Sequence, residues 1–193
     1  MLKVALACTK CVLLSPTSEI GPSIDYFSLK YSVDPSFCPT LKVNYDGAVF
    51  RETSEARLGA VTRNSAGRVV ASCVERITLP QIVAELEATA ARRAILLAKE
   101  LNLSSITLEG DSEIINRALQ DVEQSFATFG NLIEEIRFHV DTILNCNFFF
   151  YVKRKRNYVT HSFVRHMKHV SGLVVWKEEV PPLIVSVLLA YSG

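Results

Sequence analysis

The chain has 193 residues, 49% of them hydrophobic, and its 21 Lys and Arg against 20 Asp and Glu leave a formal net charge of +1. That length suits one domain with flanking segments and enough apolar residues for a core. The balanced charge excludes binding to nucleic acid or membrane by overall charge alone, so any electrostatic role rests on local clusters. The five cysteines are odd in number and scattered, which argues against a disulfide framework and for a reducing, intracellular setting.

Residues 1–38 carry Pro16, Gly21, Pro22 and Pro35 without a sustained period and read as a weakly ordered tail. Cys8 and Cys11 form a lone C-x-x-C pair with no second pair at zinc spacing, so they read as ordinary thiols. Val4–Leu14 is interrupted by Thr9 and Lys10 and makes a poor signal peptide. The apolar run Leu183–Ala190 falls far short of the ~20 residues that a helix needs to cross a bilayer, so a soluble protein without a membrane partner is expected.

Strand periodicity starts at Leu41, where Leu41, Val43 and Tyr45 alternate with Lys42, Asn44 and Asp46. Further strands are expected over Arg57–Arg63 and Arg68–Ile77, joined by the turn Asn64-Ser65-Ala66-Gly67. A long helix follows from Ile82 to Leu101, with Ala84, Ala88, Ala91, Ile95 and Ala98 as a stripe able to lie close on a sheet. Next come a strand at Ser105–Gly110, helices at Ser112–Gln120 and Phe129–Leu144, a strand at Asn147–Val152 and a helix at Asn157–Val170. The order β-β-β-α-β-α-α-β-α predicts an α/β domain over residues 39–171. Its five-stranded mixed sheet comprises a three-strand antiparallel meander plus two parallel strands, with helices on both faces. Residues 172–193 read as a C-terminal tail packing on or extending the domain.

Three carboxylates stand out against this frame. Asp46 sits in a strand of apolar and neutral residues, where an unpaired charge costs desolvation. Asp111 ends a parallel strand, the place where α/β sheets hold ligands. Glu85 lies in the first turn of the long helix and can reach the same region. Singly, each has an ordinary explanation as a strand-end acid, a helix cap or a partner of the helix dipole. Brought together they repel and raise one another's pKa, a cost that a hard divalent cation, Mg2+ or Mn2+, removes.

The strings Leu41-Lys42-Val43-Asn44-Tyr45-Asp46-Gly47-Ala48, Ala84-Glu85-Leu86-Glu87-Ala88 and Glu109-Gly110-Asp111-Ser112 resemble the motifs of ribonuclease H, most of all its plant-type, reverse-transcriptase-like subgroup. Arg154–His161, with Asn157 and His161 four apart, resembles the last motif of that subgroup, and the likeness extends over roughly residues 35–190. The resemblance implies the ribonuclease H-like fold and metal-dependent endonucleolytic hydrolysis of the RNA strand of an RNA–DNA hybrid by a monomer. It places Asp46, Glu85 and Asp111 at the family's carboxylate positions, as catalytic residues and metal ligands. His161 falls where many members carry a fourth, aspartate ligand. Lys153, Arg154, Lys155 and Arg156 stand in place of a longer loop and are expected to bind phosphates, with Asn44 and Asn157 as further nucleic-acid contacts. Two other readings share these motifs: a nucleic-acid-binding module without appreciable cleavage, and a protein-interaction domain that kept only the fold.

Overall fold

The computed structural model describes residues 11–14, 40–121, 128–143, 145–178, 181 and 185. Its elements run Cys11–Leu14 (β1), Leu41–Phe50 (β2), Glu55–Arg63 (β3), Val69–Thr78 (β4), Val83–Glu100 (α1), Ser105–Gly110 (β5), Glu113–Gln120 (α2), Gly130–Asp141 (α3), Asn145–Tyr151 (β6), Tyr158–His166 (α4) and Leu173–Lys177 (β7). The strands form one sheet in the order β1-β7-β4-β3-β2-β5-β6. β2, β3 and β4 make the antiparallel meander, while β5 runs parallel to β2 and β6 parallel to β5.

All five expected strands are present, and two more extend the meander edge. β7, from the expected C-terminal tail, pairs antiparallel with β4, and β1, from the expected N-terminal tail, pairs with β7. Short apolar runs such as Leu173-Val174-Val175-Trp176 show no decisive period. An open strand edge that offers unpaired backbone groups recruits them. The rest of the N-terminal segment, including Cys8, and all of the Leu183–Ala190 run except Val185 lie outside the described residues. The last helix ends at His166, short of the expected Val170. Just beyond it Arg57, from β3, donates to the Lys168 carbonyl at 2.8 Å.

The two faces of the sheet are covered differently. Val43, Tyr45, Leu58, Ala60, Ala71 and Cys73 face α1, whose Ala88, Ala91, Ile95 and Ala98 are fully buried in the same cluster. The small side chains let the helix axis come near the strands, as the alanine spacing predicts. On the opposite face Val61 and Val74 meet Val159 and Phe163 of α4, with Trp176 of β7 closing the group. The Phe163 and Trp176 rings stand 5.7 Å apart in an edge-on arrangement, so Trp176 is a packing anchor. Among the described residues no helix is long and apolar enough to cross a membrane.

The approach of α4 depends on Gly59. A Cβ at this position would lie 2.2 Å from Val164 Cγ2, and a β-branched side chain on a packed helix has no free rotamer to yield. Gly59 pairs with Asp46 across β2 and β3, so α4 comes closest beside that acid. Gly59→Ala is expected to cost about 1–3 kcal/mol of unfolding free energy through overpacking. It should appear as a lower urea midpoint at unchanged slope.

Candidate metal centre and nucleic-acid rim

Asp46 lies in the middle of β2 and is 1% exposed. Its Oδ1 accepts from the Gly47 backbone N–H at 2.8 Å, and its Oδ2 lies 2.7 Å from His161 Nδ1. Asp111 follows the last residue of β5, one position before the Ser112 cap of α2. Glu87 comes from the start of α1, whose Leu86 lies against Gly47; a Cβ there would fall 2.5 Å from Leu86 Cγ. A glycine next to Asp46 therefore lets the helix start reach the strand. One ligand oxygen from each of Asp46, Glu87 and Asp111 lies within 4.8 Å of the others.

The glutamate in this group is Glu87, not the expected Glu85. Two residues along a helix turn the side chain by about 200°, so only one of the pair can face the sheet. Glu85 shares its helix line with Thr89 and Arg92, and Arg92 is paired with Glu135 of α3. Glu87 stands on the line of Ala84, Ala91 and Ala94, residues that are buried or packed against the core. The alanine spacing of α1 marks that line, whereas nearness to the helix start does not distinguish the two acids.

The surroundings of the three acids are polar and tightly held. Asn157, fully buried, donates through Nδ2 to the Tyr45 carbonyl at 2.8 Å and to Asp111 Oδ1 at 3.2 Å. Arg154 NH1 stands 3.6 Å from Asp111 Oδ2, and its NH2 lies 3.2 Å from His161 Nε2. The same NH2 is also 3.0 Å from His161 Nδ1, so the imidazole stands between the guanidinium, which only donates, and the Asp46 carboxylate, which only accepts. Burial, then Asp46 and Asp111, push the Glu87 carboxyl up to about 8. Burial and Asp111 push Asp46 up to about 6, against the opposing pull of His161 and Arg154.

Two expected nucleic-acid contacts are corrected by burial. Asn44 is fully buried, accepts from Arg63 at 2.8 Å and donates to Glu109 Oε2 at 3.0 Å, while Lys42 lies 3.3 Å from Glu109 Oε1. It ties β3, β2 and β5 together instead of meeting a ligand. Asn157 is likewise spent on Asp111 and the β2 backbone. Neighbouring strands and acids take up both ends of the Asn44 amide and the Nδ2 of Asn157, while Asn157 Oδ1 is buried without a partner. Lys153, Arg154, Lys155 and Arg156 are exposed on a tight turn closed by Arg156 N–H donating to the Lys153 carbonyl at 2.7 Å. His166 and His169 are exposed.

The donor set fits a hard divalent cation. It offers oxygen ligands only, and Glu87 Oε2 is buried with no hydrogen-bond partner, a cost that a ligand relieves.

Residues 44–167 match the family described as reverse transcriptase-like. No curated protein matches the chain. Among solved structures the chain is similar to ribonuclease H1 from the halophilic archaeon Halobacterium salinarum NRC-1, at 19% identity and TM-score 0.57 over 64% of this chain and 92% of that one. It is similar to the N-terminal ribonuclease H domain of a Mycobacterium tuberculosis protein, at 15% identity and TM-score 0.57 over 66% of this chain and 92% of that one. It is also similar to LC11 ribonuclease H1 solved in complex with an RNA/DNA hybrid, at 18% identity and TM-score 0.57 over 66% of this chain and 95% of that one. At these identities the likeness is one of fold.

The carboxyl shifts set a pH dependence. Asp46 and Glu87 titrate higher in the folded chain than their ordinary 3.8 and 4.5, so the folded state binds more protons than the unfolded one. Their contribution is lost as pH rises from about 4 to about 8. Melting in chelator should show Tm falling across this range, less steeply in Glu87→Gln. Added Mg2+ or Mn2+ at pH 8 should raise Tm in the wild type.

Proposed function

The chain belongs to the reverse-transcriptase-like family of ribonuclease H domains, and from that premise we propose that it hydrolyses the RNA strand of RNA–DNA hybrids by metal-dependent endonucleolytic cleavage. The observation that carries this reading is the convergence of Asp46, Glu87 and Asp111 within 4.8 Å, with a buried Glu87 oxygen lacking any protein partner. LC11 ribonuclease H1, of the same fold, is described bound to an RNA/DNA hybrid, which supports a hybrid as the substrate.

Asp46, Glu87 and Asp111 would hold Mg2+ or Mn2+. When bound, such an ion lowers the pKa of a water to supply the nucleophile and stabilises charge on the leaving oxygen. The remaining work belongs to the protein. His161 fixes one Asp46 oxygen and the Gly47 N–H the other, so the carboxylate keeps its orientation. Asn157 holds Asp111 against the β2 backbone. The 2′-hydroxyl is the group by which such a site tells RNA from DNA. Lys153, Lys155 and Arg156 form the phosphate-binding rim, contributing affinity without base preference.

A labelled hybrid incubated with Mg2+ or Mn2+ should be cut internally in its RNA strand. Asp46→Asn and Glu87→Gln should each lose at least about 100-fold in rate, since metal positioning is worth several kcal/mol, while still binding hybrid. Glu85→Gln should stay within about threefold of wild type, because that side chain lies outside the acid cluster. Wild-type protein that binds hybrid but cuts nothing with either metal would reduce the chain to a binding module. On the rim, Lys155→Ala should weaken hybrid binding similarly for all sequences. It should also lower the slope of log affinity against log salt by roughly one.

A further inference from the structure

We infer that Arg154 is a built-in counter-cation of the acidic cluster, which a divalent metal must displace, so that this side chain sets the metal affinity of the centre. The inference rests on the reading of Asp46, Glu87 and Asp111 as the metal site. The turn carrying Lys153, Arg154, Lys155 and Arg156 exposes all four basic residues, yet Arg154 is the one turned onto the cluster. Its NH1 lies 3.6 Å from Asp111 Oδ2, and its NH2 lies 3.0 and 3.2 Å from the two ring nitrogens of His161. His161 in turn holds Asp46 at 2.7 Å. Arg154 thus stands directly beside Asp111 and reaches Asp46 through the His161 ring.

The backbone and the side chain of Arg154 are held differently. The Arg154 carbonyl accepts from Asn157 N–H at 3.1 Å, which fixes the chain beside the site. The side chain is 65% exposed and can turn outward without opening a cavity. A guanidinium and a divalent cation drawn to the same oxygens repel each other, and at this exposure the repulsion amounts to about tenfold in affinity. Once displaced, Arg154 joins Lys153, Lys155 and Arg156 at the rim and can meet a phosphate. Metal loading and phosphate binding are therefore favourably coupled through one side chain, and the coupling is reciprocal.

The test is calorimetric titration of Mn2+ alone into the full chain, comparing wild type, Arg154→Gln and Arg156→Gln. The expected result is a Kd for Mn2+ about tenfold lower in Arg154→Gln. Arg156→Gln removes the same charge from the same turn and should remain within about twofold of wild type. An Arg154→Gln protein that binds Mn2+ no more tightly than wild type overturns the inference, as does equal tightening in Arg156→Gln, which would assign the effect to the general field of the loop. If either occurs while the wild type still cuts hybrid, the proposed function stands and only the role of Arg154 falls. Absence of Mn2+ uptake by all three proteins, together with absence of hybrid cleavage, would remove both.

Discussion

The ionisation of Asp46 is the constraint around which the rest of the structure is arranged. A carboxylate that is 1% exposed in a central strand loses most of its hydration. The two nearest acids, Glu87 and Asp111, add repulsion instead of relief. The protein offsets this with a backbone N–H, an imidazole and, through that imidazole, a guanidinium. These groups compensate only part of the charge, which is why both Asp46 and Glu87 are pushed toward the protonated form. Partial compensation is a suitable state for a cation site, because full neutralisation by the protein would leave a metal nothing to bind.

The same constraint explains the double use of α4 and the turn before it. The inner side of α4 packs on the sheet through Val159, Phe163 and Val164, the last seated over Gly59. Its first turns deliver Asn157 and His161 to Asp111 and Asp46, and Arg57 catches the chain beyond its end. Packing and site geometry are thus mechanically one. A shift of this helix by the width of a methyl group would move the imidazole away from the acid it orients.

Buried polar groups near the site divide by what they touch. Asn44 and Asn157 resemble ligand-binding residues in the sequence, yet both are internal ties, one across three strands and the other from an aspartate to a backbone carbonyl. The basic turn shows the opposite pattern. Its side chains are exposed, and only Arg154 is drawn back onto the acids. Exposure decides which groups are free to meet a phosphate, and exposure depends on neighbours that are remote in the chain.

The sequence by itself determined the α/β class, the meander, the two parallel strands, the alanine face of α1 and the identity of two of the three clustered acids. Each of these follows from periodicity or from a strand end, which are local properties of neighbouring residues. Tertiary structure decided what depends on distant partners. It selected Glu87 over Glu85, because the rotation of α1 on the sheet is fixed by which residues it buries. It turned Asn44 and Asn157 inward, because adjacent strands and Asp111 accept from their amide nitrogens or are tied by them. It also drew Cys11–Leu14 and Leu173–Lys177 into the sheet, because an unpaired edge, not the period of those short runs, determines whether they become strands.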